Sequence, residues 1–358
     1  MFVNLGRYTV LVIAVYVLLM FTNIWKHFRE CQPNYAYQQR ILSKSYGRKE
    51  TVNNTTTNTP YHQAQTTETS TPPASTSIRT NFNVLYNDTS LVNNGSLYVT
   101  SNCIFCGRMG NQMFKYASIL GLVRAQGRRM FIVPNTELEK TFKISYVANH
   151  SIQQWPKVRE HHFFESKLWS LPLQNVTVCC NLQSFWYFAD VIDEDRQEFT
   201  FLDSVANDAA KILPDVQLKQ NSSMIIGLHV RRSDFLSEKY LGKGYEVADK
   251  SYFMKAFSLM KSTFPGRNIT FLVASDDLPW CLENLLQHDV VIMPPASYFV
   301  HLAVLSNCDH MIITGGTFGW WSGWLANGYV IYFTGYMAQR KWTKNRQYYP
   351  RLWIAMGN

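Results

Sequence analysis

Alternating strand and helix units, with ligand-binding groups at the strand ends, are the fold class this sequence predicts. Three observations carry the prediction. From residue 224 onward, short apolar runs alternate with stretches of helical spacing. Strands are expected at 224–230, 269–274, 289–293, 309–314 and 329–333, and helices at 249–262, 278–287, 297–307 and 317–326. Such alternation argues for parallel sheet covered by crossover helices. A strand, turn and helix signal also opens the region that begins near residue 101. Finally, the turns after the strands carry polar groups or glycines, and the carboxyl ends of strands in open α/β sheets are where ligands bind.

Upstream of that region the chain has a different character. Tyr8 to Trp25 is a run of 18 largely uncharged residues, near the length that spans a bilayer, with no clear small-residue cleavage site after it. An uncleaved signal-anchor is expected at 8–25, with 1–7 as a cytoplasmic tail and 26–100 as a stem. Lys26, His27 and Arg29 follow the span and only Arg7 precedes it, so charge alone mildly favours the opposite orientation. Residues 50–100 are rich in Thr, Ser, Asn and Pro, which cannot bury a core and suit a glycosylated stalk. Acceptor triplets begin at Asn53, Asn54, Asn87, Asn94, Asn149, Asn175, Asn221 and Asn268, eight in all, which points to a lumenal domain.

The rest of the chain is long enough for one large or two medium domains. Net charge is +9, yet Arg128-Arg129 and Arg231-Arg232 are isolated pairs and no basic run appears. Nucleic acid is therefore a poor candidate partner, and a mildly basic enzyme holding an anionic nucleotide fits more simply. Of the seven cysteines, Cys31 lies beside the expected span and six lie in the globular part. In an oxidising lumen these predict structural disulfides, with Cys179 and Cys180 bonded to different partners. No Cys/His group has zinc-ligand spacing.

Taken in order, residues 102–106 read as a strand and Gly107 to Gln112 as a turn. The segment 112–126 carries Met113, Tyr116, Ala117, Leu120 and Val123 at helical spacing, and Gly127 ends it. Met130 to Val133 is a second strand, stopped by Pro134. Glycines at that helix start would let a ligand approach backbone N–H groups where the helix dipole favours phosphate. Residues 134–220 are less regular, and Asp193-Glu194-Asp195 within them reads as a solvated loop rather than a metal site.

The segment IIGLHVRRSD, Ile225 to Asp234, is the most informative. Strand alternation puts His229 and Arg231 on one face and delivers both to the carboxyl end. Arginine grips phosphate oxygens in bidentate fashion, and a neighbouring cation would strengthen the field, so this reads as a pyrophosphate site. Ser275-Asp276-Asp277 after the next strand fits helix capping and contact with ribose or a base edge equally well. Gly315-Gly316-Thr317-Phe318-Gly319 forms a nest suited to phosphate oxygens at another helix start. Trp320, Trp321 and Trp324 in that helix suit the core better than a sugar platform.

Together, GRMGNQMFKYASILGLVRAQGRRMFIVP, QSFWYFADVIDEDRQEF, IGLHVRRSDF, FLVASDDLPWCLENL and LAVLSNCDHMIITGGTFGWWSGWLANG resemble, in order and spacing, the α-1,2-fucosyltransferases. The resemblance covers about residues 101–335. It implies a GT-B-like fold in which two Rossmann-type domains, 101–220 and 221–358, face a cleft. It also implies GDP-β-L-fucose as donor, a galactose-terminated glycan as acceptor, inversion at fucose C1, a single-pass type II Golgi enzyme and no metal requirement. By this match His229, Arg231, Arg232 and Asp234 fall at the donor site, with Arg231 and Asp234 as the catalytic pair. Ser275 and Asp276 take nucleotide contacts, Thr317 and Phe318 phosphate contacts, and Gly110, Asn111 and Gln112 stand beside the sugar-pyrophosphate. Asp234 serves either as a base or to orient an arginine. One departure stands out: His301 precedes Leu302-Ala303-Val304 where vertebrate-type members have Asp, which bears on donor selectivity if that carboxylate reads guanine. The same motifs admit two other readings, a fucosyltransferase of another linkage (O-fucosyl or α-1,6) and a non-catalytic glycan-binding protein. Whether the chain acts alone or as a homodimer is left open.

Overall fold

The computed structural model describes residues 95–101, 106–130, 132, 136–146, 155–336 and 347–358. All of them fall in one compact unit, Thr76–Asn358. The expected anchor and stem, the acceptor sites Asn53, Asn54, Asn87, Asn94 and Asn149, and Cys31 and Cys103 lie outside the described residues. Among the described residues no helix is long and apolar enough to cross a membrane.

The first half contains β1 (Tyr98–Ser101), α1 (Met109–Ala125), β2 (Arg129–Met130), β3 (Lys157–Arg159), β4 (Val176–Cys179), α2 (Ile192–Glu198) and α3 (Asp203–Gln220). Its strands form a sheet of order β2-β1-β4-β3, parallel at every pairing. The second half contains β5 (Met224–Val230), α4 (Glu238–Leu241), α5 (Lys250–Thr263), β6 (Ile269–Ser275), α6 (Leu278–Asn284), β7 (Val290–Ile292), α7 (Tyr298–Ser306), β8 (His310–Ile313), α8 (Gly316–Ala326), β9 (Val330–Phe333) and β10 (Ile354–Met356). These strands run β10-β9-β8-β5-β6-β7, again all parallel. Every residue of β5 is buried, as a central parallel strand covered on both faces requires. Two parallel sheets with crossover helices are the α/β class expected from the alternation.

The first half departs from expectation in several places. Its first described strand lies at Tyr98–Ser101, ahead of the expected 102–106. Helix α1 begins at Met109 and takes in most of the expected turn, because Met109 is itself an apolar residue with a place in the core. Arg129–Met130 is shorter than the strand expected to reach Val133. The Asp193-Glu194-Asp195 loop is instead the first turn of α2, where carboxylates complement the positive helix end, and Asp195 is fully buried. Helix α3 escaped the reading because Pro214 sits inside it and only Val205, Ala209 and Val216 are buried along its length. The disulfide expectation fails for Cys179, Cys180, Cys281 and Cys308, which are free thiols; Cys106 is disulfide-bonded. Cys281 and Cys308 are packed as small apolar side chains in the core, away from any partner sulfur.

The two halves meet through α1 and α8. Trp321 donates its indole N–H to the Gly110 carbonyl at 3.0 Å, and Phe114 lies 4.6 Å from Trp320 and 5.1 Å from Trp321, centroid to centroid. Phe188 stacks on Trp321 at 5.7 Å. The α8 tryptophans are thus core, as expected, and they fix the starts of two helices next to each other.

Candidate active site

At that junction lies a cavity of about 300 Å³, at the lower end of the range for small-molecule sites. The first half contributes Arg108, Met109, Gly110 and Glu137 to its walls. The second contributes His229 and Arg231 from the β5 end, Ala274, Ser275 and Asp276 from the β6 end, Tyr298 and His301 from α7, and Thr317 and Phe318 from α8.

Arg231 is the largely buried cation of this cavity, and several elements hold it. Its backbone N–H donates to Thr314 Oγ1 at 2.9 Å. Its Nε and Nη2 donate to the two oxygens of Asp234 at 3.1 and 2.6 Å, and its guanidinium lies over the Phe235 ring at 4.6 Å. Gly316 makes room for it: φ is +79°, and a Cβ there would come within 2.8 Å of Arg231 Nη1. Burial disfavours the charged guanidinium, but Asp234 more than compensates, so Arg231 is held more firmly cationic than usual. Burial likewise pushes the Asp234 carboxyl up, yet the hydrogen bonds and charge of Arg231, with Arg108 3.4 Å away, hold it below the ordinary carboxylate range.

His229 follows the strand alternation and faces α8 as Arg231 does, with Gly319 leaving space for its ring. It is not a second cation. Burial, with Arg231 close by, lowers its pKa to about 3, so the imidazole is neutral. Its Nδ1 is buried and has no hydrogen-bond partner among the described residues. Opposite lies the start of α8, where Gly315 is extended and Gly316 left-handed, turning the chain so that the first turn of the helix sits beside Arg231. Gly110 lets α1 approach this turn: a Cβ on it would meet Thr317 Oγ1 at 2.7 Å.

The model of glycosyl transferase family 11 matches residues 80–356. The chain belongs to that family. Curated relatives include galactoside α-(1,2)-fucosyltransferase 2 of Pongo pygmaeus, 32% identical over 64% of this chain and 70% of the relative. Galactoside α-(1,2)-fucosyltransferase 1 of Ateles belzebuth is 30% identical over 64% of this chain and 66% of its own length, just under two thirds. Among solved structures, a fucosyltransferase of Arabidopsis thaliana in complex with GDP aligns with TM-score 0.46 at 11% identity, over 66% of this chain and 70% of that one. A fucosyltransferase from Bradyrhizobium aligns with TM-score 0.42 at 13% identity, over 63% and 92%.

Against the site expected of a family 11 chain, Gly110, His229, Arg231, Ser275, Asp276, Thr317 and Phe318 converge on the one cavity. Four others do not line it. Arg232 points the opposite way, as the next residue after Arg231 must. Its guanidinium stacks on Trp280 at 3.8 Å, donates to the Ala248 carbonyl at 2.6 Å and pairs with Asp277 at 3.4 Å. Asp234 stands behind Arg231 and orients it. Helical rotation turns Asn111 toward Gln183, 3.0 Å away, and Gln112 toward the Gly107 carbonyl and the Glu137 N–H at 3.2 and 3.1 Å. Of the capping readings, Asp277 is the residue that caps α6, donated to by Trp280 N–H, while Ser275 and Asp276 stay with the cavity. Asp276 does accept the Arg232 N–H at 2.8 Å, tying the β5 and β6 ends together.

Sequence reading missed Arg108, Met109, Glu137 and Tyr298. Arg108 and Met109 were visible inside the glycine turn already singled out. Glu137 lies in the irregular segment after Pro134, where no periodicity marks it.

Proposed function

We propose that this family 11 chain transfers L-fucose from GDP-β-L-fucose to the 2-hydroxyl of a galactoside in a galactose-terminated glycan, inverting fucose C1. The names of the curated relatives and the matched family support fucose as the sugar transferred and a galactoside as the acceptor. The observation that carries the reading is one firmly cationic arginine, locked by Asp234, in the same cavity as the N-terminal turn of α8.

Departure of the nucleoside diphosphate builds negative charge on the β-phosphate while the sugar takes on oxocarbenium character. Arg231 and the α8 N–H groups are positioned before the reaction, so they need not reorganise as that charge develops. Neutral His229 supplies a hydrogen bond rather than a charge. Asp234, with its oxygens on Arg231, is a positioning residue and not the base; the 2-hydroxyl proton passes to solvent as its oxygen bonds to fucose C1 and the C1–O bond to GDP breaks. No metal enters this scheme, because Arg231 and the helix terminus neutralise the leaving group. We further propose a single-pass type II Golgi enzyme, with a lumenal catalytic part and a glycan on the exposed Asn221; the Nδ2 of Asn268 is engaged, donating to the Asn221 carbonyl at 2.6 Å. Asn175 is a poorer acceptor, since its side chain accepts the Tyr98 N–H at 2.8 Å.

The test is transfer from GDP-fucose to a panel of galactosides and other glycans, with linkage analysis and added EDTA. An α-1,2-linked product, insensitive to EDTA, is expected. Arg231→Ala should lower turnover by roughly 100-fold or more; near-normal turnover in a folded variant defeats the mechanism.

A further inference from the structure

Glu137 is a cavity-lining carboxylate that this mechanism leaves unused. It comes from the first half of the chain, and its Oε1 accepts the Tyr298 hydroxyl of α7, in the second half, at 2.8 Å. Its Oε2 is buried and has no hydrogen-bond partner among the described residues. The backbone beneath it is fixed: Gln112 Oε1 accepts the Glu137 N–H at 3.1 Å, and Leu138 next to it is fully buried. A carboxylate held this way, with one oxygen unmet, points to a ligand that donates.

The order of the strands says which part of a nucleotide would lie there. Arg231 ends β5, Ser275 and Asp276 end the neighbouring β6, and Tyr298 and His301 begin the helix that follows β7. Two strand spacings put the α7 end roughly 10 Å from the phosphate-binding end, with the β6 end between them. A nucleoside diphosphate lying across these ends has its phosphates at Arg231, its ribose at Ser275 and Asp276, and its base against Tyr298, His301 and Glu137. Asp276, the other carboxylate of the cavity wall, has its Oδ1 on the backbone N–H groups of Arg232 and Ser233 at 2.8 and 3.4 Å, which fixes it at the β6 end, at the ribose. His301 is no substitute: the Pro294 carbonyl 3.0 Å from its Nε2 can only accept, so that nitrogen is a donor and is occupied.

We infer that Glu137 is the base-reading residue of the donor pocket, accepting the N1–H and 2-amino group of guanine across the interface of the two halves. This rests on the donor reading above and goes beyond it by naming the residue that selects the nucleotide. Guanine presents two adjacent donors to a carboxylate. Adenine presents one donor beside an acceptor, and uracil one donor between two carbonyls, so both place a lone pair against the carboxylate. Recognition by Glu137 also means that a guanine base is gripped from the first half, whereas another base loses that contact.

Titration calorimetry with GDP, IDP and ADP tests this on the lumenal part of the wild type, Glu137→Gln and Glu137→Ala. The wild type should prefer GDP over ADP by about 10-fold or more, with IDP, which lacks the 2-amino group, in between. Glu137→Gln turns an amide N–H₂ toward the guanine donors and should weaken GDP about 10-fold while changing ADP by no more than about twofold. Glu137→Ala should show the same collapse of preference, and serves alone should the glutamine variant not fold. GDP affinity and GDP-over-ADP preference both unchanged in a folded variant would overturn the role of Glu137 and leave the donor reading standing. A wild type that binds none of the three nucleotides overturns the donor reading itself.

Discussion

Arg231 and Asp234 form an ion pair whose value lies in direction more than strength. Asp234 is partly exposed, so its Coulomb contribution to stability is modest, but two near-parallel N–H···O bonds fix the guanidinium plane. Asp234→Asn keeps the shape and one acceptor while removing the charge. Turnover should fall roughly 10- to 100-fold, more than donor KM rises, in steady-state assays of GDP release. A drop as deep as that of Arg231→Ala would instead mark Asp234 as a group acting directly on the substrate. Two buried histidines set a separate, pH-linked property. Burial lowers His229 to about 3 and His310 to about 4, from an ordinary value near 6.5. His310 accepts the Tyr329 N–H at 3.0 Å and stacks on Phe264 at 4.3 Å, and a protonated ring loses that acceptor. A depressed native pKa means the unfolded chain takes up the proton first. The stability from these histidines is therefore complete above pH 6.5 and is lost as pH falls toward 4 and 3. For His310 the loss at pH 5 is about 2 kcal/mol, read as a lower denaturant midpoint than at pH 7.5. His310→Gln should about halve the fall between those two pH values, since His229 contributes a similar share.

Two helix starts, α1 and α8, meet at glycines because any side chain would push them apart. A Cβ on Gly110 would lie 2.8 and 2.9 Å from backbone atoms of Thr317 and Phe318, which cannot yield as a flexible side chain can. Gly110→Ala should therefore cost about 1–3 kcal/mol in chemical denaturation and also reduce transfer, since α8 carries the turn proposed to hold phosphate. Gly316→Ala combines left-handed strain with a clash on Arg231, and should lose activity more steeply than stability. These glycines were legible from sequence because a Gly-rich helix start is a local signal. The same holds for β5 to β9 and for α5 to α8, whose apolar runs and helical stretches alternate along the chain. Residues 134–220 were opaque for physical reasons. Strand β3 is Lys-Val-Arg, charged at both ends and without an apolar run, and α3 hides behind Pro214 and a narrow buried face. Within the site, periodicity placed Arg231 correctly but said nothing of Arg232's neighbours, Trp280 and Asp277, which come from a distant turn. Glu137 had no local signature at all, because what singles it out is a hydrogen bond to a residue 161 positions away.

At the scale of the whole described unit, one apolar core runs without a break from Val99 and Val176 in the first sheet to Ile331 and Trp353 in the second. The aromatic packing of Phe114, Phe188, Trp320 and Trp321 lies at its centre and belongs to both halves at once. Neither half can expose its share without opening the other, so the unit should unfold thermally in a single transition rather than two. The donor pocket opens at the same seam, with Gly110 and Glu137 on one side and Arg231 and Thr317 on the other. A nucleotide that touches both walls binds only the assembled unit, and mass action then raises stability by about 2.7 kcal/mol at a concentration 100 times its Kd. For a domain of this size that is a shift of several degrees in Tm. Scanning calorimetry should show the single transition move upward as a whole with GDP, and stay in place with GDP in Arg231→Ala at the same concentration. A two-step melt in which only the later step responds to GDP would mean that the halves fold separately and that the nucleotide is held by the second half alone.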